Sequence, residues 1–221
     1  MKIDEQTKEY LRQSGLKKKI QFFFDYYTWQ TIGIIALLIF VVSMIVNIIT
    51  AKKPLLYIVL INSVMEEENC TEISDNYLAD NGINPDKFKL DIDPGYAHVK
   101  PSENPEDYDE LANATVQKYQ VMILSEEIDI TISPDWAIDL YEQSDWYYNL
   151  KDFLPEDLYK KVEDRLYYSK DSTGASIPVG ISLDGISCID DCYETATPIL
   201  TVSAFTNNPE ESINFINWLF K

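Results

Sequence analysis

Histidine, cysteine and closely spaced carboxylates carry most protein metal and acid–base chemistry, so their positions are read first. The 221-residue chain has one histidine, His98, and three cysteines, Cys70, Cys188 and Cys192. No serine or cysteine motif surrounds His98, which reads as a surface residue of a polar loop. Cys188 and Cys192 flank Ile189-Asp190-Asp191 with no histidine nearby, a poor ligand set for zinc. Asp91-Ile92-Asp93-Pro94-Gly95 opens like a calcium loop, but no third acidic ligand and no Glu at the twelfth position follow. Glu66-Glu67-Glu68 and Asp190-Asp191 read as solvated charge. The seven glycines form no phosphate-cradling loop, and no G-x-S-x-G elbow occurs. No catalytic residue, metal site or cofactor is expected, and a hydrolase is the least favoured class.

Charge is distributed unevenly. Residues 54–221 carry ten Lys and Arg against 33 Asp and Glu, a net of −23 within a chain total of −19. Such a surface repels phosphate backbones and anionic lipid heads, so nucleic acid is excluded as a partner. A basic partner remains compatible with it.

The complementary basic residues gather before an apolar run. Residues 26–51 contain no charged side chain, and Ile32 to Val46 are almost wholly apolar. About 20 such residues in a helix span a hydrocarbon core of about 30 Å. Phe22, Phe23, Phe24, Tyr26, Tyr27 and Trp29 form an interfacial belt on one side. Six Lys and Arg precede the run and only Lys52 and Lys53 follow it, which predicts the N-terminus inside. The expected organisation is a cytoplasmic tail (1–25), an uncleaved transmembrane helix (26–51) and an acidic extracellular domain (54–221). The cell membrane is thus the first expected partner. Outside the cell a local disulfide between Cys188 and Cys192 is expected, with Cys70 as a third candidate partner.

The outer domain alternates strands and helices. Leu55 to Asn62 is a continuous apolar run, as in a strand buried on both faces. A helix is expected over 71–81, capped by Thr71 and stopped at Asn81-Gly82. Phe88 to Asp93 alternates like a strand, and Pro94-Gly95 breaks it. A loop follows over 95–106, then a helix over 107–126 burying Leu111, Ala114, Thr115, Tyr119, Met122 and Ile123. Ile128 to Ile132 is a strand closed by Ser133-Pro134-Asp135, and Trp136 to Glu142 a short helix. Pro155 opens another, with Leu158, Val162 and Leu166 inward. Two further strands are expected at 177–183 and 198–205, and a last helix begins at Asn208-Pro209-Glu210-Glu211. The pattern predicts an α/β domain with a mostly parallel sheet flanked by helices.

Several segments, in order, resemble extracellular solute-binding proteins of ABC transporters, the two-lobed type II kind. Ile128-Asp129-Ile130-Thr131-Ile132-Ser133 is similar to a family strand ending "iDvvis", and Asn149 to Leu158 to a "pLddlLpedl" segment. Ala175 to Gly180 resembles "yaiPv", and Phe205 to Leu219 the "sknpeeAlkFlkfL" helix. The resemblance covers roughly 105–221 and, more loosely, 55–90. Family members insert a second lobe between the last two motifs, where this chain has only Ser182 to Thr197. The resemblance implies a single lobe in which a disulfide-pinned hairpin at Cys188 and Cys192 replaces the missing one.

Ligands of open α/β sheets lie beyond the carboxyl ends of the strands. Those ends supply Asn62, Ser63, Asp93, Ser133, Asp135, Trp136, Ser182 and Asp184 as candidate ligand- or partner-binding residues, with Trp136 foremost. An aromatic face beside hydroxyls suits a carbohydrate or a peptide, though packing of the short helix accounts for Trp136 as well. One lobe encloses only half of a small ligand. The expected function is therefore non-catalytic binding to a protein or membrane complex such as a transporter. Direct capture of a sugar or peptide for uptake or sensing is the alternative.

Overall fold

The computed structural model describes residues 9, 12, 15–100, 110–190, 192, 193 and 196–221. It divides into two compact units, Met1–Ala51 and Lys52–Lys221.

The first unit is a helix, α1, over Leu16–Thr50. Its part Thr31–Thr50 is long and apolar enough to cross a membrane, and none of that part is buried within the protein. Leu37 and Phe40 are 62% and 67% exposed, which water does not favour for an aliphatic helix. The basic and aromatic residues expected at its entrance lie mostly outside the residues whose side chains are described.

The second unit is a three-layer α/β domain. Its strands are β1 (Lys53–Ile61), β2 (Phe88–Tyr96), β3 (Ile130–Pro134), β4 (Leu166–Lys170), β5 (Ser176–Ser182) and β6 (Pro198–Val202). They form one sheet in the order β2-β1-β3-β6-β5-β4. Only β1–β2 and β1–β3 are parallel; the three pairings of β3, β6, β5 and β4 are antiparallel. The sheet is therefore mixed, a correction to the mostly parallel one expected. The cause is connectivity: β4 turns directly into β5 at Asp171–Gly174, and β5 reaches the neighbouring β6 through a connection holding only the four-residue helix Ser187–Asp190. Gly180 on β5 permits that close packing, because a Cβ there would sit 2.5 Å from the Ile199 methyl on β6.

Alternation in the strands divides the core. Leu56, Ile58 and Leu60 of β1 face α2 (Glu67–Asp80) and, at the chain end, a helix at Pro209–Leu219, through Ile73, Tyr77, Phe215 and Ile216. Val59 and Ile61 face the opposite layer, α3 (Glu110–Leu124) and α4 (Asp135–Asp139), through Tyr119, Ile123 and Ile138. Two short helices, α5 (Leu150–Phe153) and α6 (Glu156–Val162), join the first layer through Leu150, Leu154 and Leu158. After α7 (Ser187–Asp190), the terminal helix is α8.

Several details differ from expectation, among them the end of β6 at Val202 and the short helix at Asp135–Asp139. Helix α2 begins at Glu67, so Thr71 lies inside it and donates its hydroxyl to the Glu67 carbonyl instead of capping. Strand β2 runs on through Pro94-Gly95 to Tyr96, with a bulge opposite Val59–Ile61; proline is tolerated because β2 is an edge strand. Ala114 of α3 is exposed. Leu166 opens β4 instead of closing a helix. Residues 101–109, expected to be loop and helix start, lie outside the described residues.

Candidate functional site

Strands β1 and β3 are neighbours, yet the connections leaving β1 and entering β3 pass over opposite faces, through α2 and α3 respectively. A crevice is expected where the connections diverge. Seven of the eight candidate residues surround this end of the sheet. Asn62 and Ser63 follow β1, Ser133 lies at the end of β3, and Asp135 and Trp136 open α4 directly after it. Ser133 and Ser182 flank Ile199 of β6 from either side, and Asp184 follows. Asp93 is not among them. It lies inside β2, three residues before the strand ends.

The polar groups at the crevice are engaged by the protein itself. Asn62 adopts a left-handed conformation (φ 55°), and its amide pairs with the His98 backbone: Nδ2 donates to the His98 carbonyl at 2.8 Å, and Oδ1 accepts the His98 N–H at 2.6 Å. The Ser63 hydroxyl and the Val64 N–H both donate to the Cys192 carbonyl, at 3.2 and 3.0 Å. Ser133 is buried. Asp135 accepts its neighbour's N–H, from Trp136, at 2.7 Å. Trp136 is half-buried and packs against the apolar cluster of the α3/α4 layer, the packing role that its sequence position equally allowed. The Ser182 hydroxyl accepts the Asp184 N–H at 3.4 Å, while the Asp184 carbonyl receives the Arg165 guanidinium at 2.6 Å.

The segment expected to be a disulfide-pinned hairpin closes the crevice differently. Leu183, Ile189 and Tyr193 are buried in the domain core, and the Tyr193 hydroxyl donates to the Ile132 carbonyl at 2.8 Å. No disulfide joins Cys188 and Cys192. Cys188 belongs to the helical turn α7, and the Cys192 thiol is directed at the Cys188 carbonyl, 3.8 Å away. Cys192 lies beyond the end of that turn, where its backbone N–H donates to the Ile189 carbonyl at 3.0 Å. Burial raises the Cys188 thiol pKa, and that of Cys70 to about 11, so both are protonated at neutral pH.

Asp93 serves the edge of the sheet. It accepts from the Tyr57 hydroxyl at 2.8 Å and the Gly95 N–H at 2.9 Å, and it pairs with Lys118 at 3.3 Å. Burial alone would raise its pKa. The Gly95 amide, the Tyr57 hydroxyl and the Lys118 ammonium outweigh burial and hold the carboxyl below its ordinary value. Asp91 pairs with Lys89 at 2.9 Å. Both carboxylates thus have cationic partners within the protein.

His98 was expected on the surface and is instead 4% exposed. Its Nε2 is 2.8 Å from the Tyr141 hydroxyl, and its ring packs edge-on against Tyr119 and Tyr141. The Tyr119 hydroxyl in turn meets Thr131 and Tyr147, each at 3.1 Å. Burial lowers the His98 pKa to about 4, so the imidazole is neutral at pH 7. The sequence signal for this network was the buried helical position of Tyr119; nothing local marked His98 as its partner.

Two cavities lie against α2. One, of about 210 Å³, runs between α2 and α7 past Asn69, Asn76 and Cys188. The other is a groove of about 370 Å³ between α2 and the outer edge of β2. Neither was foreseen, because each is formed by residues distant in sequence. Comparison of the chain with protein-family models, with curated proteins and with solved structures returns no match.

Proposed function

We propose that the chain is a membrane-anchored binding protein, with α1 spanning the membrane and the acidic domain outside, and that it acts without catalysis as a partner of a protein or membrane complex such as a transporter. On this reading the domain is a solute-binding-protein-like lobe whose second lobe has been replaced by Ser182–Thr197. The observation that carries it is the filled crevice. Tyr193, Ile189 and Leu183 occupy the end of the sheet where such a lobe would present a small ligand, and Asn62 and Ser63 are spent on internal hydrogen bonds. The exposed apolar surface of Thr31–Thr50 supports the anchor, and the excess of Lys and Arg before it supports the orientation.

Association of a free sugar with so closed an end leaves little apolar burial to offset lost rigid-body freedom, which costs several kcal/mol. Calorimetry of the detergent-solubilised full chain against sugars, oligosaccharides and peptides should give at best millimolar affinity for free small solutes. Micromolar binding that vanishes in a folded Trp136→Ala variant would establish direct solute capture instead. Protease treatment of intact cells should remove residues 54–221 and spare an N-terminal tag. The reverse pattern would invert the orientation.

A further inference from the structure

The groove between α2 and β2 lies on an open sheet edge whose hydrogen-bonding groups can be assigned. The Tyr57 N–H donates to the Asp129 carboxylate and the Tyr57 carbonyl accepts the Asp129 N–H, so Tyr57 directs its peptide groups toward β3. Its neighbours Leu56 and Ile58 therefore face β2, where they stand opposite Leu90 and Ile92. In a parallel pair, residues in those opposite positions turn their own peptide groups away from the partner. Leu90 confirms this, since its N–H leaves the sheet and donates to the Ser74 hydroxyl of α2 at 2.9 Å. The Ile92 N–H and the Leu90 and Ile92 carbonyls are the outward groups at the groove.

A second copy of the chain does not fit that edge. Antiparallel self-pairing centred on Leu90 would match Lys89 with Asp91 and Lys87 with Asp93, but its central bond needs the Leu90 N–H that Ser74 holds. Centring on Ile92 frees that bond and sets Asp91 against Asp93 twice, a like-charge contact. The charges that exclude a copy specify another occupant. Four carboxylates line the groove, Glu67 and Asp75 from α2 and Asp91 and Asp93 from β2, against Lys52 and Lys89. Lys89 is already paired with Asp91. Glu67 and Asp75 are exposed and have no ion pair among the described residues.

We propose that this groove docks an extended, basic peptide segment of a partner protein, which adds to β2 at Ile92 and places Lys or Arg side chains against Glu67 and Asp75. The inference rests on the reading of the domain as a protein-binding one and names the surface and the chemistry of its partner. Main-chain hydrogen bonds at the edge supply attachment, and the unpaired carboxylates of Glu67 and Asp75 supply selectivity. The acidity of the whole domain steers such a segment inward.

The test uses the full chain in detergent and a fluorescein-labelled Thr-Lys-Val-Lys-Thr-Lys-Val peptide, read by anisotropy at near-physiological salt. Saturable binding is expected, weakened at least tenfold by methylating alternate peptide nitrogens and at least tenfold in a Glu67→Gln/Asp75→Asn variant. Both substitutions are on exposed side chains, so folding is retained. No binding, equal binding of the methylated peptide, or full affinity in the double variant would each overturn the proposal. So would a dimer by light scattering that the peptide fails to dissociate. Peptide binding lost only in Trp136→Ala would move the site to the strand ends, overturning the groove while leaving the protein-binding reading intact. Micromolar sugar binding with no peptide binding would overturn both.

Discussion

The two faces of the sheet are closed by different matter. Against α2 and α8 the contacts are mainly aliphatic and aromatic: Leu56, Ile58 and Leu60 meet Ile73, Leu78, Phe215 and Ile216, and the Tyr77 hydroxyl reaches outward to Glu211 at 2.6 Å. Against α3 and α4 the sheet buries hydroxyls and an imidazole: Tyr119 is bonded to Thr131 and Tyr147, His98 is bonded to Tyr141, and the two sets meet through ring contacts of Tyr119 with His98 and Tyr141. The first face gains stability from area removed from water, which does not depend on pH. The second relies on directional hydrogen bonds at Tyr119, Thr131, Tyr147 and His98 Nε2, although His98 Nδ1 has no hydrogen-bond partner among the described residues, and those bonds fix the arrangement of α3, α4 and the loop carrying His98. Difference in chemistry predicts difference in response to mutation and to acid.

The largest effect is expected on the dry face. Phe215→Ala removes a side chain that is 1% exposed, meets Tyr77 edge-on and stacks against Trp218, at a cost of about 3–5 kcal/mol. Urea denaturation of the detergent-solubilised chain, followed by tryptophan fluorescence, measures it. A loss below about 1 kcal/mol would mean that this layer is far looser than its packing indicates.

Acid should act on the other face. The folded pKa of His98, about 4, lies below the ordinary 6.5, so the unfolded chain binds the proton more readily. Stability contributed by neutral His98 is complete above about pH 6.5 and is lost as pH falls toward 4, by on the order of 2–3 kcal/mol. Asp93, with its lowered pKa, extends the loss below the ordinary carboxylate value. Urea midpoints at pH 7, 5.5 and 4.5 should fall in wild type and flatten across the upper part of that range in His98→Gln. A parallel slope in both proteins would place the sensitivity elsewhere.

The smallest and most discriminating comparison removes one oxygen from each face. Tyr119→Phe leaves Thr131 and Tyr147 short of a partner in a fully buried place and should cost about 1–3 kcal/mol. Tyr77→Phe frees Glu211 at the protein rim, where water replaces the hydroxyl, and should cost about 1 kcal/mol or less. Equal costs would erase the distinction between the faces.

Residue order alone determined the features that depend on neighbours along the chain. The uncharged apolar run reads as a helix of spanning length, and Leu55 to Ile61 as a strand buried on both sides. Asn81-Gly82 stops α2, with Gly82 at φ 64°, and Pro209 with Glu210 and Glu211 starts α8. Each of these rests on periodicity, backbone freedom or the helix dipole, all local quantities. Tertiary structure decided what those quantities do not contain. Leu166–Lys170 joined the sheet because Ser176–Ser182 offered it a partner. β6 entered antiparallel because of where the chain came from. Asp129, inside a strand motif, became a buried tie among Tyr57, Thr206 and Asn208. His98 was drawn from an expected surface loop into the core by Tyr141, 43 positions away, and Cys188 was held in a helical turn that keeps it from Cys192. Of the candidate site, the end of the sheet was legible from the strand boundaries, but its closure was not. Tyr193 fills it through a bond to Ile132, and a contact across 61 positions leaves no trace in the spacing of either segment.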